Sequence, residues 1–513
     1  MIIALLPLGH FLIGVLSLLW QRGARRILPF ALLIDVALIG SLWSRVAGGT
    51  SVSLVLGGWG RDLGIELVAD KISLGFSFLA LLLTLAVTVY LWRERQRPYF
   101  YVLLHFLLAS VFALVFARDL FNIYVIIEIL TLVSFLLVGY ERKARQIWAS
   151  LNYLILAALG MAMYLFGVGI IYYHTGTLNL TLLGERIAGM QDQLWLITAS
   201  TLLVVGVSIK AGVFVFSLWL PAAHASASPA VSALLSGLVI KMGVVVLFRL
   251  STVLDISLPL IVLGGITGVV GAVYTMFTYE LKRMLAFSTL SQVGYLLVGI
   301  GIGTPLAIAG SLTYGVAHGL SKGLLFLAAG QVVNTTGSAF ISEQVARQEK
   351  IPRATRIALF VGTLSIIGLP PLVGFCAKGL LSAATDSLPL HLLLVFVSLG
   401  TVVAFSKLTP LLNPRYGCSD ERAKAISYGI LALPIFAFLP ASFLFVSWIQ
   451  VLSWLGPLQA GESVAIIGAG FLVYLVLRGH PVRLPQRIFR LEEAILLILA
   501  VFFATFFLLA GSV

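Results

Sequence analysis

Apolar runs of roughly 18 residues or more recur from one end of this 513-residue chain to the other. Each is long enough to cross the hydrocarbon of a bilayer as a helix, the form in which a single segment satisfies its own backbone hydrogen bonds there. About sixteen such spans can be placed, beginning near residues 2, 27, 72, 99, 120, 151, 195, 229, 256, 284, 305, 355, 388, 426, 462 and 491. Composition points the same way: 60% of residues are hydrophobic and 10% charged, too few charges to cover a water-soluble surface. The chain reads as an all-α polytopic protein of the lipid bilayer.

The placement of charge gives an orientation. The run Met1 to Trp20 precedes Arg22, Arg25 and Arg26 and lacks a small-residue cleavage site, so it reads as a retained first span. If the loop after it is cytoplasmic, the same side receives Arg93–Arg97, Arg142–Arg145, Lys282–Arg283, Arg347–Arg356, Arg415–Lys424 and Arg478–Arg490. About 22 of the 33 Lys and Arg then lie inside and about 6 outside, the bias of the positive-inside rule. The net charge of +13 is therefore mostly topology and gives no reason to expect nucleic acid. The longest loops, near residues 47–70 and 174–194, leave no room for a soluble domain that could hold NAD, flavin or an iron–sulfur cluster. Cys376 and Cys418 fit no metal-ligand spacing, so neither a metal nor a cofactor is expected.

Five cations fall within or at the edges of spans: Lys210, Lys241, Lys322, Lys378 and Lys407. An ammonium at membrane depth costs about 2.5–3.5 kcal/mol on insertion scales and marks a functional site by default. A lysine out of water is a proton-exchange candidate; the bland alternative is a side chain that snorkels to the interface. Snorkelling suits Lys407, near the end of its span, and fits Lys210 and Lys241 poorly. Glu128 lies well inside DLFNIYVIIEILTLVSFLL, where a carboxylate must be protonated or paired. His318 and Lys322, four residues apart in YGVAHGLSKGLLFLAAG, share a helical face, and histidine suits a proton relay. His105, alone in its span, reads as a packed, hydrogen-bonded residue. Lys378 follows GLPPLVGFCAK, whose Gly368, Pro370, Pro371 and Gly374 predict a broken helix, a feature tolerated at depth only against a cavity or packed protein. The match of GLSKG (Gly319–Gly323) to a nucleophile elbow falls inside a helix, without the strand-to-helix turn such an elbow needs. GIGIGT has no βαβ unit after it and carries no dinucleotide signal.

The stretch KAGVFVFSLWLPAAHASASPAVSALLSGLVIKMGVVVLFR resembles the core of the antiporter-like subunits shared by respiratory complex I, membrane-bound hydrogenases and Mrp-type Na⁺/H⁺ antiporters. YELKRMLAFSTLSQVGYLLVGI (279–300), AHGLSKGLLFLAAG (317–330) and GLPPLVGFCAKG (368–379) match the same family in the same order, over roughly residues 70–410. DLFNIYVIIEILTLVSFLLVGYE and GIELVADKIS (64–73) look most like the Mrp D-type subunit. The resemblance implies about 14 core transmembrane helices with two inverted five-helix repeats and broken helices; here about two extra C-terminal helices follow. It divides the chain into N-terminal helices (1–98), a first repeat unit (99–250), a second (251–410) and C-terminal helices (411–513). Broken helices are expected at Lys210 and near His318 to Lys378. GVFVFSLWLP lacks the proline often found between its phenylalanines.

Carried over by position, Glu128 would pair with Lys210, Lys241 would be the central relay, and His318, Lys322 and Lys378 would complete a proton route. An ion pair at about 4 Å in an effective dielectric of about 20 involves roughly 4 kcal/mol before desolvation. WLPAAHASASP reads as a short cytoplasmic turn, and His224 within it as a candidate point of proton uptake, or an ordinary loop histidine. The function implied is proton translocation within a multisubunit Na⁺ (cation)/H⁺ antiporter: a transporter subunit, not an enzyme, multi-pass in a prokaryotic inner (plasma) membrane. Its expected partners are other membrane subunits, protons and Na⁺. The alternative is the proton-pumping subunit of a complex I-like NADH/ferredoxin:quinone oxidoreductase or a membrane-bound hydrogenase, with redox chemistry on other chains. A self-contained solute carrier fits the ordered lysine motifs poorly.

Overall fold

The computed structural model describes all residues except 21–22, 95, 218, 413–417, 419–420, 437–455, 480–483, 485–490 and 512–513. Helices follow the apolar runs. First come α1 (Ile2–Leu19), α2 (Ala24–Val46), α3 (Lys71–Tyr90), α4 (Pro98–Phe116), α5 (Leu120–Val138) and α6 (Ala144–Thr175). The short α7 (Leu180–Arg186) leads to α8 (Leu194–Ala211), α9 (Trp219–Ser226) and α10 (Pro229–Ser251). Next stand α11 (Ser257–Phe277), α12 (Leu281–Ile302), α13 (Pro305–Thr336), the short α14 (Ile341–Ala346), α15 (Arg353–Ile367) and α16 (Val373–Ala383). The chain closes with α17 (Leu388–Ser406), α18 (Arg422–Phe436), α19 (Pro457–Leu477) and α20 (Leu491–Gly511).

Among the described residues 13 helices are long and apolar enough to cross a membrane. The broken pair α15 and α16, together with α18 and α20, occupies the other expected spans. The molecule is thus an all-α polytopic membrane protein, with one small sheet among the described residues. The 47–70 connection folds into an antiparallel hairpin of β1 (Val52–Leu56) and β2 (Ile65–Ala69), Val52 facing Ala69. Its alternating VSLVL and IELVA segments bury Leu67 and Ala69 against the bundle.

Contacts between loops bear out the alternation. Lys424 reaches Glu94 at 3.5 Å and Arg145 reaches Glu280 at 3.8 Å, all four on the side of the basic loops. Arg186 meets Asp62 at 3.5 Å on the opposite side. There Asp70 caps α3 by accepting from the Ser73 N–H and takes Arg118 and Arg249 at 2.7 and 2.8 Å. Burial works against the Asp70 charge, but the two guanidiniums outweigh it and hold its carboxyl below the usual range.

Two departures from regular helix matter for the buried lysines. α8 stops at Ala211 with Gly212 at φ 76°, and α15 stops at Ile367 with Gly368 at φ 89°, left-handed positions that favour glycine. The second break was expected somewhere between His318 and Lys378. It lies wholly at 368–372, because α13, which carries His318, runs unbroken for 32 residues. The connection after α8 also differs from expectation. WLPAAHAS is no turn but the buried helix α9, and the turn shrinks to Ala227 and Ser228.

α10 lies against the first break because Gly243 has no side chain there. A Cβ at 243 would stand 2.4 Å from the Ala211 backbone nitrogen, a contact that neither backbone can relieve cheaply. Gly243→Ala is therefore expected to cost about 1–3 kcal/mol by overpacking. Gly40→Ala, where a Cβ meets nothing within 4 Å, is expected to be near neutral. Thermal unfolding of the purified protein in detergent measures both; equal midpoints would contradict the close packing.

Candidate functional site

The first buried lysine sits where α8 breaks. Lys210 is 2% exposed; its Nζ donates to Thr131 Oγ1 at 3.0 Å and to the Tyr153 hydroxyl. The Tyr153 ring stacks on Trp219 of α9 with centroids 4.0 Å apart, so the second piece of the broken helix positions a partner of the lysine. Glu128 stands one turn before Thr131 on α5. Its charge acts on Lys210, yet no salt-bridge contact joins the two, and Glu128 Oε1 accepts no hydrogen bond among the described residues. The expected direct pair is thus replaced by neutral hydroxyls. Thr131 is fully buried while Glu128 is half-buried at the edge of the same helix, and the ammonium takes the deeper partners.

Lys241 and Lys322 share one hydrogen-bonded file. Within α10, Leu235–Val239 forms a π turn, and Lys241 Nζ donates to the Ser236 carbonyl at 2.6 Å. Such turns often mark functional sites. The Ser236 hydroxyl lies 2.8 Å from Thr289 Oγ1, and Thr289 in turn donates to the Leu285 carbonyl at 3.0 Å. The same carbonyl accepts from Lys322 Nζ at 2.8 Å, and Lys322 also reaches the Ser288 hydroxyl. Both lysines are fully buried. Two hydroxyls that can rotate and exchange donor for acceptor, and the backbone carbonyls of Ser236 and Leu285, therefore lie between the two buried amines.

His318 lies between this file and the second break. It is 1% exposed, neither ring nitrogen has a partner among the described residues, and the charges of Lys241, Lys322 and Lys378 all act on it. An imidazole with both nitrogens free can accept a proton at one nitrogen and release it from the other, but only while the nearby amines are uncharged, because like charges oppose one another. Lys378, 6% exposed, donates to the Ile366 carbonyl at 2.9 Å, one of those left free where α15 ends. Its Nζ stands 5.7 Å from the Tyr295 ring and 5.6 Å from the Tyr314 ring. Tyr314 donates to Gln292 Oε1, whose amide donates to Thr401 at 2.8 Å.

Two further titratable groups differ from their expected settings, and a third meets its expectation with added partners. His224 belongs to α9, is completely buried, and stacks on Phe326 with centroids 4.7 Å apart; it is no loop histidine. Lys407 does not snorkel: its Nζ holds the carbonyls of Thr275, Met276 and Thr278 at 2.6–3.0 Å, closing the C-terminus of α11. His105 is hydrogen-bonded, as expected, but within a cluster: His10 Nδ1 lies 2.9 Å from its Nδ1, and His10 Nε2 lies 2.7 Å from Asp35. Sequence reasoning passed over Asp35, although an acid inside an apolar run is itself a signal. It also passed over Thr131, Tyr153, Ser236, Thr289 and Tyr314, whose hydroxyls are ordinary in a helix until a lysine is packed beside them.

The transmembrane family described as NADH:quinone oxidoreductase/Mrp antiporter matches residues 117–404, more than half of the chain and every buried lysine except Lys407. The chain belongs to that family. Among relatives of this antiporter-family chain is the D-type Na(+)/H(+) antiporter subunit of Alkalihalophilus pseudofirmus, 29% identical over 395 residues, covering 74% of this chain and 80% of the relative. The Bacillus subtilis protein of the same name is 29% identical over 451 residues, 84% of this chain and 90% of the relative. The N-type subunit of the NADH-quinone oxidoreductase of Desulforudis audaxviator is 34% identical over 335 residues, 63% of this chain and 66% of the relative. In fold, the chain is similar to a chain of the Mrp complex from Dietzia sp. DQ12-45-1b, at TM-score 0.79 and 24% identity. That match covers 98% of this chain and 59% of the other.

The Ser236–Thr289 contact gives the family member a measurable signature. Thr289→Val keeps the shape but strips the Ser236 hydroxyl of its partner, at an expected cost of about 1–3 kcal/mol. The double variant Ser236→Ala/Thr289→Val is expected to lose less than the two single variants together. Unfolding midpoints of the four proteins test it; strict additivity would mean that the hydroxyls do not bind each other.

Proposed function

We propose that this chain is the proton-translocating membrane subunit of a multisubunit cation/proton antiporter, multi-pass in the inner (plasma) membrane of a prokaryotic cell. The observation that carries the reading is the file from Lys241 through Ser236, Thr289 and the Leu285 carbonyl to Lys322, with His318 amid three lysines. The names of the D-type antiporter relatives and the similarity to an Mrp complex chain support the antiporter setting, with other membrane subunits as partners and Na⁺ as the exchanged cation. A proton would pass among Lys210, Lys241, His318, Lys322 and Lys378. Glu128 would draw Lys210 away from Thr131 and Tyr153 in one state and release it in another. A direct pair formed by that movement is worth roughly 4 kcal/mol before desolvation at an effective dielectric of about 20, enough to bias the position of the lysine.

Two repeat units, 99–250 and 251–410, belong to the same proposal. Supporting them, Asp119 bridges Asn179 just before α5 as Glu280 bridges Phe340 just before α12, with equal spacing along the chain. A second reading, a proton-pumping subunit of a quinone oxidoreductase, is favoured by the 34% identity to an N-type subunit of such an enzyme.

Everted vesicles holding the assembled complex test the proposal. Na⁺ is expected to collapse an imposed ΔpH, and Glu128→Ala or Lys210→Ala to slow this by about a hundredfold or more, as removal of a proton-transfer group does. Wild-type rates in both variants would overturn the mechanism. A requirement for an electron donor and quinone would move the assignment to the second reading.

A further inference from the structure

At the end of the bundle away from the basic loops, α16 ends, α17 begins and α19 begins. Glu462 is the one charged residue of α19, a helix of which Gly470 alone is fully buried. A single carboxylate on so apolar a helix is costly at the membrane, and it is not left in lipid. His391 Nε2 lies 3.1 Å from Glu462 Oε1, and the Ser382 hydroxyl donates to Glu462 Oε2 at 3.1 Å. Between this cluster and Lys378 is a cavity of about 30 Å³, lined also by Tyr295 and Ser398, large enough and polar enough to hold water. The His391 and Glu462 side chains are 32% and 29% exposed, whereas Lys378 is 6% exposed. The cavity thus runs from a buried amine to a half-open, titratable rim, and the charge of Glu462 also acts on Tyr295, whose ring lies beside Lys378.

We infer that Glu462, His391 and Ser382 form the outward mouth of the proton route, a proton-exchange site completed by the C-terminal helix α19. The inference rests on the proposed function. In the outward step the Lys378 ammonium gives its proton through the cavity to the Glu462 carboxylate, leaving a neutral amine. Glu462, held by Ser382 and beside His391, passes the proton to bulk water and returns to a carboxylate. Inward movement reverses each transfer. His391 is the second acceptor at the rim, and Ser382 fixes the carboxylate over the cavity.

The test uses everted vesicles of the assembled complex, whose lumen faces this rim, with free histidine trapped inside: its zwitterion does not cross the bilayer, and its imidazole is a mobile proton carrier. Glu462→Gln keeps the shape and the Ser382 contact, so an effect would not come from a lost structural tie. Glu462→Gln and His391→Ala are each expected to slow Na⁺-driven ΔpH collapse at least about tenfold, with the rate restored by lumenal histidine. Lys378→Ala is expected to be slowed and not restored, because no rim carrier replaces a buried amine. Wild-type rates in both rim variants beside an inactive Lys378→Ala would overturn the mouth and leave the lysine route standing. Wild-type rates in all three would overturn both. A loss that lumenal histidine fails to restore, in complexes assembled at wild-type levels, would reduce the cluster to a packing contact and overturn the inference.

Discussion

In hydrocarbon an amine must find an acceptor inside the protein, and everything distinctive about this bundle follows from how it supplies one. A regular helix uses its carbonyls on itself, so a buried lysine needs a place where the ladder is interrupted or shared. Lys378 takes the Ile366 carbonyl at the end of α15, and Lys407 takes three carbonyls at the end of α11. Lys241 uses the Ser236 carbonyl in the π turn of its own helix, and Lys322 shares the Leu285 carbonyl with Thr289. The breaks, the π turn and the lysines are therefore one device. The helix irregularities would be a cost without the amines, and the amines would be intolerable without the irregularities.

That device separates lysines that hold structure from lysines suited to exchange. Lys407 has three carbonyls, none of which can give or accept a proton, and it closes a helix end. Lys210 has two hydroxyls, Thr131 and Tyr153, with a carboxylate one turn away. Lys322 has a hydroxyl and a carbonyl in a file that continues to Lys241. An amine beside a hydroxyl that can change roles has somewhere to send a proton; carbonyls alone offer none, and Lys241, like Lys378, has a carbonyl as its one hydrogen-bond partner among the described residues. Lys378 has one carbonyl and two aromatic faces, and so depends on its cavity.

The sequence made the buried lysines, Glu128, the His318–Lys322 pair and their order legible, because ionisable residues stand out against apolar runs. Spans were legible for the same reason, and the helices of the bundle begin close to the expected positions. The partners were not legible. Thr131, Ser236 and Thr289 are ordinary helix residues whose importance depends on which helix lies opposite, a fact of tertiary packing. Nor could spacing decide whether Lys210 meets Glu128 or Thr131, which share one stripe of α5 a single turn apart. The segment around His224 misled because Pro221 and a run of small residues resemble a turn. In a packed bundle the same small residues let a short helix sit inside, and His224 goes with it. The Cys418 neighbourhood and the last basic loop lie largely outside the described residues, so the expected cytoplasmic placement of 478–490 stays an expectation.

The two C-terminal spans that exceed the core now have a physical rationale in where they pack. α19 lies on α17 and α16, beside the second helix break, and brings Glu462 to the cavity at Lys378. α20 packs on α8, the helix that carries Lys210 and stops at Ala211, and buries Ile498, Thr505 and Leu509. A broken helix is a weak point in a bundle, because it gives up backbone hydrogen bonds and the continuity that resists bending. The two added helices therefore pack on helices that the breaks interrupt. A helix packed at the outer end of α16 is also the nearest surface from which a carboxylate can reach the cavity. Packing and proton access then call for the same helix in the same position.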